Sequence, residues 1–349
     1  MVFWLWISLL LAVPPVLFGL VMAVLFFYVR WKYMGYLTRI FQEKPLFIVP
    51  RGEADASAEE ITVVHPQGWH LRGCYFHTPL PQRKGVILFG LEFGSNRWSC
   101  RSYCEGLLAA GYDICAVEFR NQGESDRDPN YEPLQWVTDR DVSDMRAAIH
   151  YLLSRADADP RGIGIFGVSK GGSTAVVAAV DEPAVRCLVT DGAYGTHTTM
   201  VPYLKRWITI YSERRILQRI LPTWFYAIVG RVGAQKVARN RGVIYPSIEK
   251  ALRRWHRPLL MIHGGADTYI RPEMAESLFE QCRGRPRELW IVPGAKHNQA
   301  LSVAGAEYHE RIVAFFDQHL AQAPPLHPEL TSAYPLTEHQ GPSSPGKAS

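Results

Sequence analysis

Residues Arg161 to Thr174 read RGIGIFGVSKGGST: an apolar run, a serine between two glycines, then small residues compatible with a helix. Gly167-Val168-Ser169-Lys170-Gly171 fits G-x-S-x-G, a pattern with mechanical meaning where a strand precedes it and a helix follows. The sharp turn strains the serine backbone and lifts Oγ out at the top of a sheet. Close strand–helix packing leaves no room for side chains two positions to either side, hence the glycines. A hydroxyl is a poor nucleophile until a base takes its proton, and the base needs orienting. A nucleophile at Ser169 therefore requires an acid and a histidine at later strand ends.

Around this stretch, short apolar runs alternate with helical ones. EITVVHPQGWHLRGCYFHT reads as a hairpin turning at Pro66 to Gly68. GVILFG (85–90), DICAVEF (113–119), GIGIFG (162–167), RCLVTDG (186–192), PLLMIHG (258–264) and ELWIVPG (288–294) are continuous apolar runs without alternation. Strands covered on both faces read this way. Between them, TDRDVSDMRAAIHYLLSR places Val142, Met145, Ile149 and Leu152 at helical spacing. The expected architecture is a parallel sheet wound in α/β fashion.

The partners of Ser169 follow from that order. MIHGGADTYIRP ends one strand and offers Asp267; IVPGAKHNQA ends the next and offers His297. Asp191, at the end of the strand before them, is the competing acid. His263 is the competing base, though it shares a short loop with the acid and reads as structural; His197 is a lesser rival.

From about residue 60 to 320 the chain resembles the α/β-hydrolase fold superfamily. GVILFGLEFGSNRWS, EFRNQGESD, GVSKGGS, HGGADTYI and GAKHN stand in that family's order. EFRNQGES is similar to the D-x-R-G-x-G-x-S stretch of membrane-associated hydrolases with a serine-peptidase-like core. The resemblance implies a mostly parallel sheet of about eight strands, a helical lid after the sixth, and the triad Ser169, Asp267 and His297. It also implies an oxyanion hole built from the backbone N–H groups of Lys170 and Phe93. Relatives commonly carry His-Gly after the third strand, where this chain has Leu91 and Glu92. A carboxylate there opposes an oxyanion unless it is turned away or paired, with Arg97 or Arg120 as candidate partners. GVSKGG is also similar to the elbow of some acyl-CoA thioesterases and acyltransferases. The Lys170 ammonium either attracts an acidic substrate, points into solvent or pairs with a carboxylate.

The flanks carry further signals. Met1 to Val29 contains no charged side chain, and Arg30, Lys32 and Arg39 follow. About 20 apolar residues cross a hydrocarbon core, so 1–30 is expected to be a transmembrane anchor, with Pro14 and Pro15 tolerated inside it. The bulky neutral start does not fit a cleaved signal peptide. Basic residues on the carboxyl-terminal flank favour that side being cytoplasmic, so the catalytic domain is expected in the cytoplasm. Residues 31–58 read as a juxtamembrane linker, 59–320 as the hydrolase domain with a helical lid over 195–256, and 321–349 as a disordered tail rich in Pro and Ser.

With a net charge of +5 and no arginine-rich face, nucleic acid is a poor partner for the chain. Six scattered cysteines fit a reducing compartment; Cys100 and Cys104 share i, i+4 spacing, but no second pair completes a metal site. Neither cofactor nor metal is expected. The function expected is a membrane-anchored serine hydrolase cleaving an acyl ester, small or lipid-like, through an acyl-enzyme. The alternatives are a thioesterase or acyltransferase, a peptidase, and a catalytically weak membrane-anchored interaction protein kept in view by Glu92.

Overall fold

The computed structural model describes residues 2–42, 49, 51–211 and 221–327. The first helix, α1 (Val2–Ile40), is followed by the hairpin β1 (Glu59–Val64) and β2 (His70–Phe76), then β3 (Gly85–Gly90) and α2 (Cys100–Ala110). Next come β4 (Tyr112–Val117), α3 (Asp139–Ser154), β5 (Ile163–Val168), α4 (Lys170–Ala179) and β6 (Val185–Asp191). Three helices then intervene: α5 (His197–Tyr211), α6 (Thr223–Arg241) and α7 (Ile248–Arg254). The chain returns through β7 (Leu259–Gly264), α8 (Pro272–Glu280), β8 (Arg287–Val292), α9 (Ala300–Ala304) and α10 (Ala306–Phe316).

The eight strands form one sheet in the order β1-β2-β4-β3-β5-β6-β7-β8. β2 is antiparallel to both neighbours, and from β4 across to β8 every pairing is parallel. The apolar runs are continuous because successive residues point to opposite faces and both faces are covered. On β3, Val86 and Leu88 enter the core beneath α3 and α4, while Ile87 and Phe89 pack against α2 and α10. The expected parallel α/β sheet is therefore present.

Local signals start and stop the helices. A capping box opens α3: Thr138 N donates to Asp141 Oδ2 at 2.8 Å, and Asp141 N points back to Thr138 Oγ1. Gly111, at φ 109°, closes α2 in the left-handed region that glycine tolerates. All six cysteines are buried, and Cys74, Cys100 and Cys104 share one core cluster.

Two boundaries differ from the sequence expectation. α1 runs ten residues beyond residue 30, because Met34, Leu37 and Phe41 are buried against Phe225, Tyr226, Val229 and Val237 of α6. The first part of the expected linker is thus helix; residues 43–48 and 50 lie outside the described residues. At the other end, Leu326 N donates to Pro160 O at 2.7 Å and its side chain joins the core, so the start of the expected tail is docked. Residues 328–349, the rest of that tail, lie outside the described residues, as do 212–220 within the lid. Within α1, Leu10–Arg39 is long and apolar enough to cross a membrane, with a mean hydropathy of 2.6 in its most apolar window.

Candidate active site

Ser169 sits between β5 and α4 at φ 51°, ψ −116°, a backbone conformation that a non-glycine residue holds only under constraint. The flanking glycines supply it. A Cβ on Gly171 would stand 2.2 Å from the Gly90 carbonyl oxygen, and one on Gly167 would stand 2.6 Å from Gly172 Cα. Ser169 N is held by the Asp191 carbonyl at 2.7 Å, across β5 and β6. Lys170 is the first residue of α4, so its N–H has no carbonyl partner within the helix.

The loops after β7 and β8 bring two more side chains to the serine. Ser169 Oγ lies 3.0 Å from His297 Nε2, and His297 Nδ1 lies 2.7 Å from Asp267 Oδ2. The other carboxylate oxygen of Asp267 accepts the Tyr269 and Ile270 amides at 2.7 and 2.9 Å. An ionised carboxylate only accepts, so in the neutral imidazole the proton resides on Nδ1 and the lone pair on Nε2 faces the hydroxyl. Asp267 is buried, and this geometry fits a chain of proton transfer from Ser169 to His297.

The rival residues are occupied elsewhere. Asp191 accepts a 2.8 Å hydrogen bond from the Tyr308 hydroxyl, and burial pushes its carboxyl up to about 6. His263 Nε2 donates to the Ile270 carbonyl at 2.7 Å, bracing the loop that carries Asp267; burial lowers its basicity. His197 opens α5, where its backbone N–H meets Glu249 Oε1 at 2.6 Å.

Lys170 takes the last of the three courses open to it. Its Nζ is buried, 2.8 Å from the Leu134 carbonyl and 2.8 Å from Asp141 Oδ1, and it lies over the Phe93 ring at 5.5 Å. The side chain ties α4 to the start of α3, and its charge is neutralised before any substrate arrives.

Glu92 is buried, and its partner is neither arginine. Arg97 is taken by Glu118 at 3.1 Å and Glu124 at 2.7 Å, and Arg120 by Asp144, because those carboxylates line the loop after β4 and the facing helix α3. Glu92 Oε2 instead accepts from the Asn298 amide, directly after His297, while Oε1 has no partner among the described residues. Asn298 stands at φ 55°. Apart from its place beside the histidine, nothing in the sequence marks Asn298 as part of the site.

Burial pushes the Glu92 carboxyl up to about 7, with the Asn298 hydrogen bond holding it down. Between its ordinary 4.5 and 7 the folded chain binds the extra proton, so this group lowers stability as pH rises through that window. The full cost is about 3 kcal/mol at most above pH 7. Glu92→Gln is expected to flatten the fall in stability between pH 5 and pH 8, measured by urea unfolding. Asp191 adds a smaller slope of the same sign. An unchanged slope in the variant would show that Glu92 ionises freely.

Phe93, Trp136, Tyr194, Tyr203 and Tyr269 close over Ser169 and His297, leaving a cavity of about 30 Å³. That is space for roughly a water molecule. Tyr203 belongs to α5, so a helix of the insertion forms part of the cover.

A strand–serine–helix elbow on a mostly parallel eight-stranded sheet, with Asp267 and His297 carried to it by the loops after β7 and β8, is the arrangement of an α/β-hydrolase-fold serine hydrolase. Residues 107–323 match the prolyl oligopeptidase family, and the chain belongs to it. The uncharacterized protein YfhR of Salmonella typhi is 23% identical over 286 residues, spanning 77% of this chain and 85% of the relative. Polyketide transferase claH of Penicillium crustosum is 26% identical over 242 residues, 58% of this chain and 75% of that protein. Among solved structures, the Pyrococcus furiosus esterase Pf2001 superposes with a TM-score of 0.59 at 19% identity, covering 80% of this chain and 100% of the esterase.

Proposed function

We propose that the chain is a membrane-tethered carboxylic ester hydrolase whose nucleophile is Ser169, with His297 as general base and Asp267 as its orienting acid. The observation that carries this reading is the unbroken hydrogen-bond path from Ser169 Oγ through His297 to Asp267. In the first step Oγ bonds to the carbonyl carbon as its proton passes to Nε2. Asp267 stabilises the imidazolium, and the backbone amides of Lys170 and Phe93 receive the developing oxyanion. Collapse expels the alcohol, which leaves with the proton from Nε2. Water then attacks the acyl-enzyme by the same route in reverse.

The long apolar α1, followed by Arg30, Lys32 and Arg39, supports a single membrane span with the catalytic domain on the cytoplasmic side. The aromatic cover over the serine suits an apolar acyl group. A second reading, transfer of the acyl group to an acceptor other than water, is favoured by the small cavity around Ser169 and by the similarity to a polyketide transferase. A phosphate-bearing acyl-CoA substrate is not favoured, because Asp141 has already neutralised Lys170.

The test compares p-nitrophenyl esters of increasing acyl length with matched thioesters and an X-prolyl amide, using the full chain in vesicles. Ester hydrolysis well above the other two is expected. Faster cleavage of the amide would replace the esterase reading with a peptidase one.

A further inference from the structure

We propose that the cleft between α1 and the lid helix α6 binds the phosphodiester head group of an anionic phospholipid. The proposal rests on the reading of α1 as a membrane span. The cleft has a volume of about 550 Å³ and is lined by Arg30, Met34, Val232, Lys236, Arg239 and Asn240, among others. Arg30 is the first charged side chain in the chain, so the cleft opens at the depth where the apolar part of α1 ends.

The charge on this face is uncompensated. Neither α1 nor α6 contains an aspartate or glutamate. Arg241, at the end of α6, takes Glu132 at 3.2 Å, whereas Arg30, Lys236 and Arg239 have no ion-pair partner among the described residues. All three are exposed around a floor that contains Met34 and Val232. Three cations without carboxylates, with the Asn240 amide beside them, complement a phosphodiester.

Apolar surface next to the cleft distinguishes a lipid from a free anion. Val24, Phe27 and Trp31, on the same helix as Arg30, are 61%, 65% and 82% exposed. Acyl chains can lie along them while the head group sits between the cations; a free phosphate has no use for that surface. The far wall of the cleft also meets the insertion helix nearest the active site. Gly230 of α6 packs against Met200 and Leu204 of α5, the helix whose Tyr203 covers Ser169.

The test reconstitutes the full chain in phosphatidylcholine vesicles and compares spin-labelled phosphatidylglycerol with spin-labelled phosphatidylcholine. The quantity read is the motionally restricted fraction of each. A several-fold preference for phosphatidylglycerol is expected, lowered by each cation neutralised and weakening with salt. The triple variant Arg30→Gln, Lys236→Gln, Arg239→Gln should lose it while hydrolysing a soluble ester at the wild-type rate, which shows that it is folded. Equal restriction of the two lipids by the wild type, or a preference surviving in the triple variant, would overturn the proposal. Abolition of the preference by glycerol phosphate in the bulk would identify a free-anion site and overturn the lipid assignment. Extraction of the protein from the vesicles by alkaline carbonate would instead overturn the membrane reading, and this proposal with it.

Discussion

Ser169→Ala is expected to lose fluorophosphonate labelling and to cut ester turnover by on the order of 10⁶-fold, with thermal stability little changed. The size of the effect follows from the geometry. The Ser169 hydroxyl stands 3.0 Å from His297 Nε2, and removing it takes away the group that the base is placed to activate. The fold should tolerate the change, because alanine keeps the Cβ and the strained backbone is imposed by Gly167 and Gly171 packing rather than by the hydroxyl. A residual rate above the uncatalysed one is expected from the oxyanion amides and from binding alone. Labelling that persists in the variant would place the nucleophile elsewhere and reopen the reading of the chain as an interaction protein.

The acid is separated from its rival by a pair of variants. Asp267→Asn is expected to lower kcat by on the order of 10⁴-fold. Asparagine can present its NH₂ to Nδ1, which favours the tautomer with the proton on Nε2 and removes the lone pair that accepts from Ser169. It also removes the charge that stabilises the imidazolium. Asp191→Asn should do little to kcat, because an amide oxygen still accepts from the Tyr308 hydroxyl and no charge facing Nδ1 is lost. The reverse pattern would move the acid to the end of β6.

Most of the fold was legible because it is written in local patterns. A buried parallel strand reads as a short apolar run, and each strand from β3 to β8 falls within two residues of such a run, while β1 and β2 read as a hairpin. The elbow was legible for a similar reason: its glycines are required by backbone approaches within a few residues of the serine. The partners of Lys170 and Glu92 were not. Lys170 is settled by Asp141 on α3 and Glu92 by Asn298 beyond β8, contacts that only the assembled sheet creates. Arg97 and Arg120 were plausible partners for Glu92 by charge, but closer carboxylates won them. The extent of α1 was hidden too, since Met34, Leu37 and Phe41 become core only once α6 lies beside them.

That packing ties the insertion to α1. Three buried apolar side chains hold α6 to α1, each contributing about 1.5–3 kcal/mol. Thermal motion does not readily release a helix held in this way. On the proposed function, admission of an acyl chain to the space beside Ser169 is therefore expected to involve α5 and its Tyr203 rather than α6. For protein production the same contact sets a boundary. A fragment beginning after Phe41 exposes the inner face of α6, so a soluble version should start ahead of Met34, keeping the α1–α6 contact while shedding the apolar run.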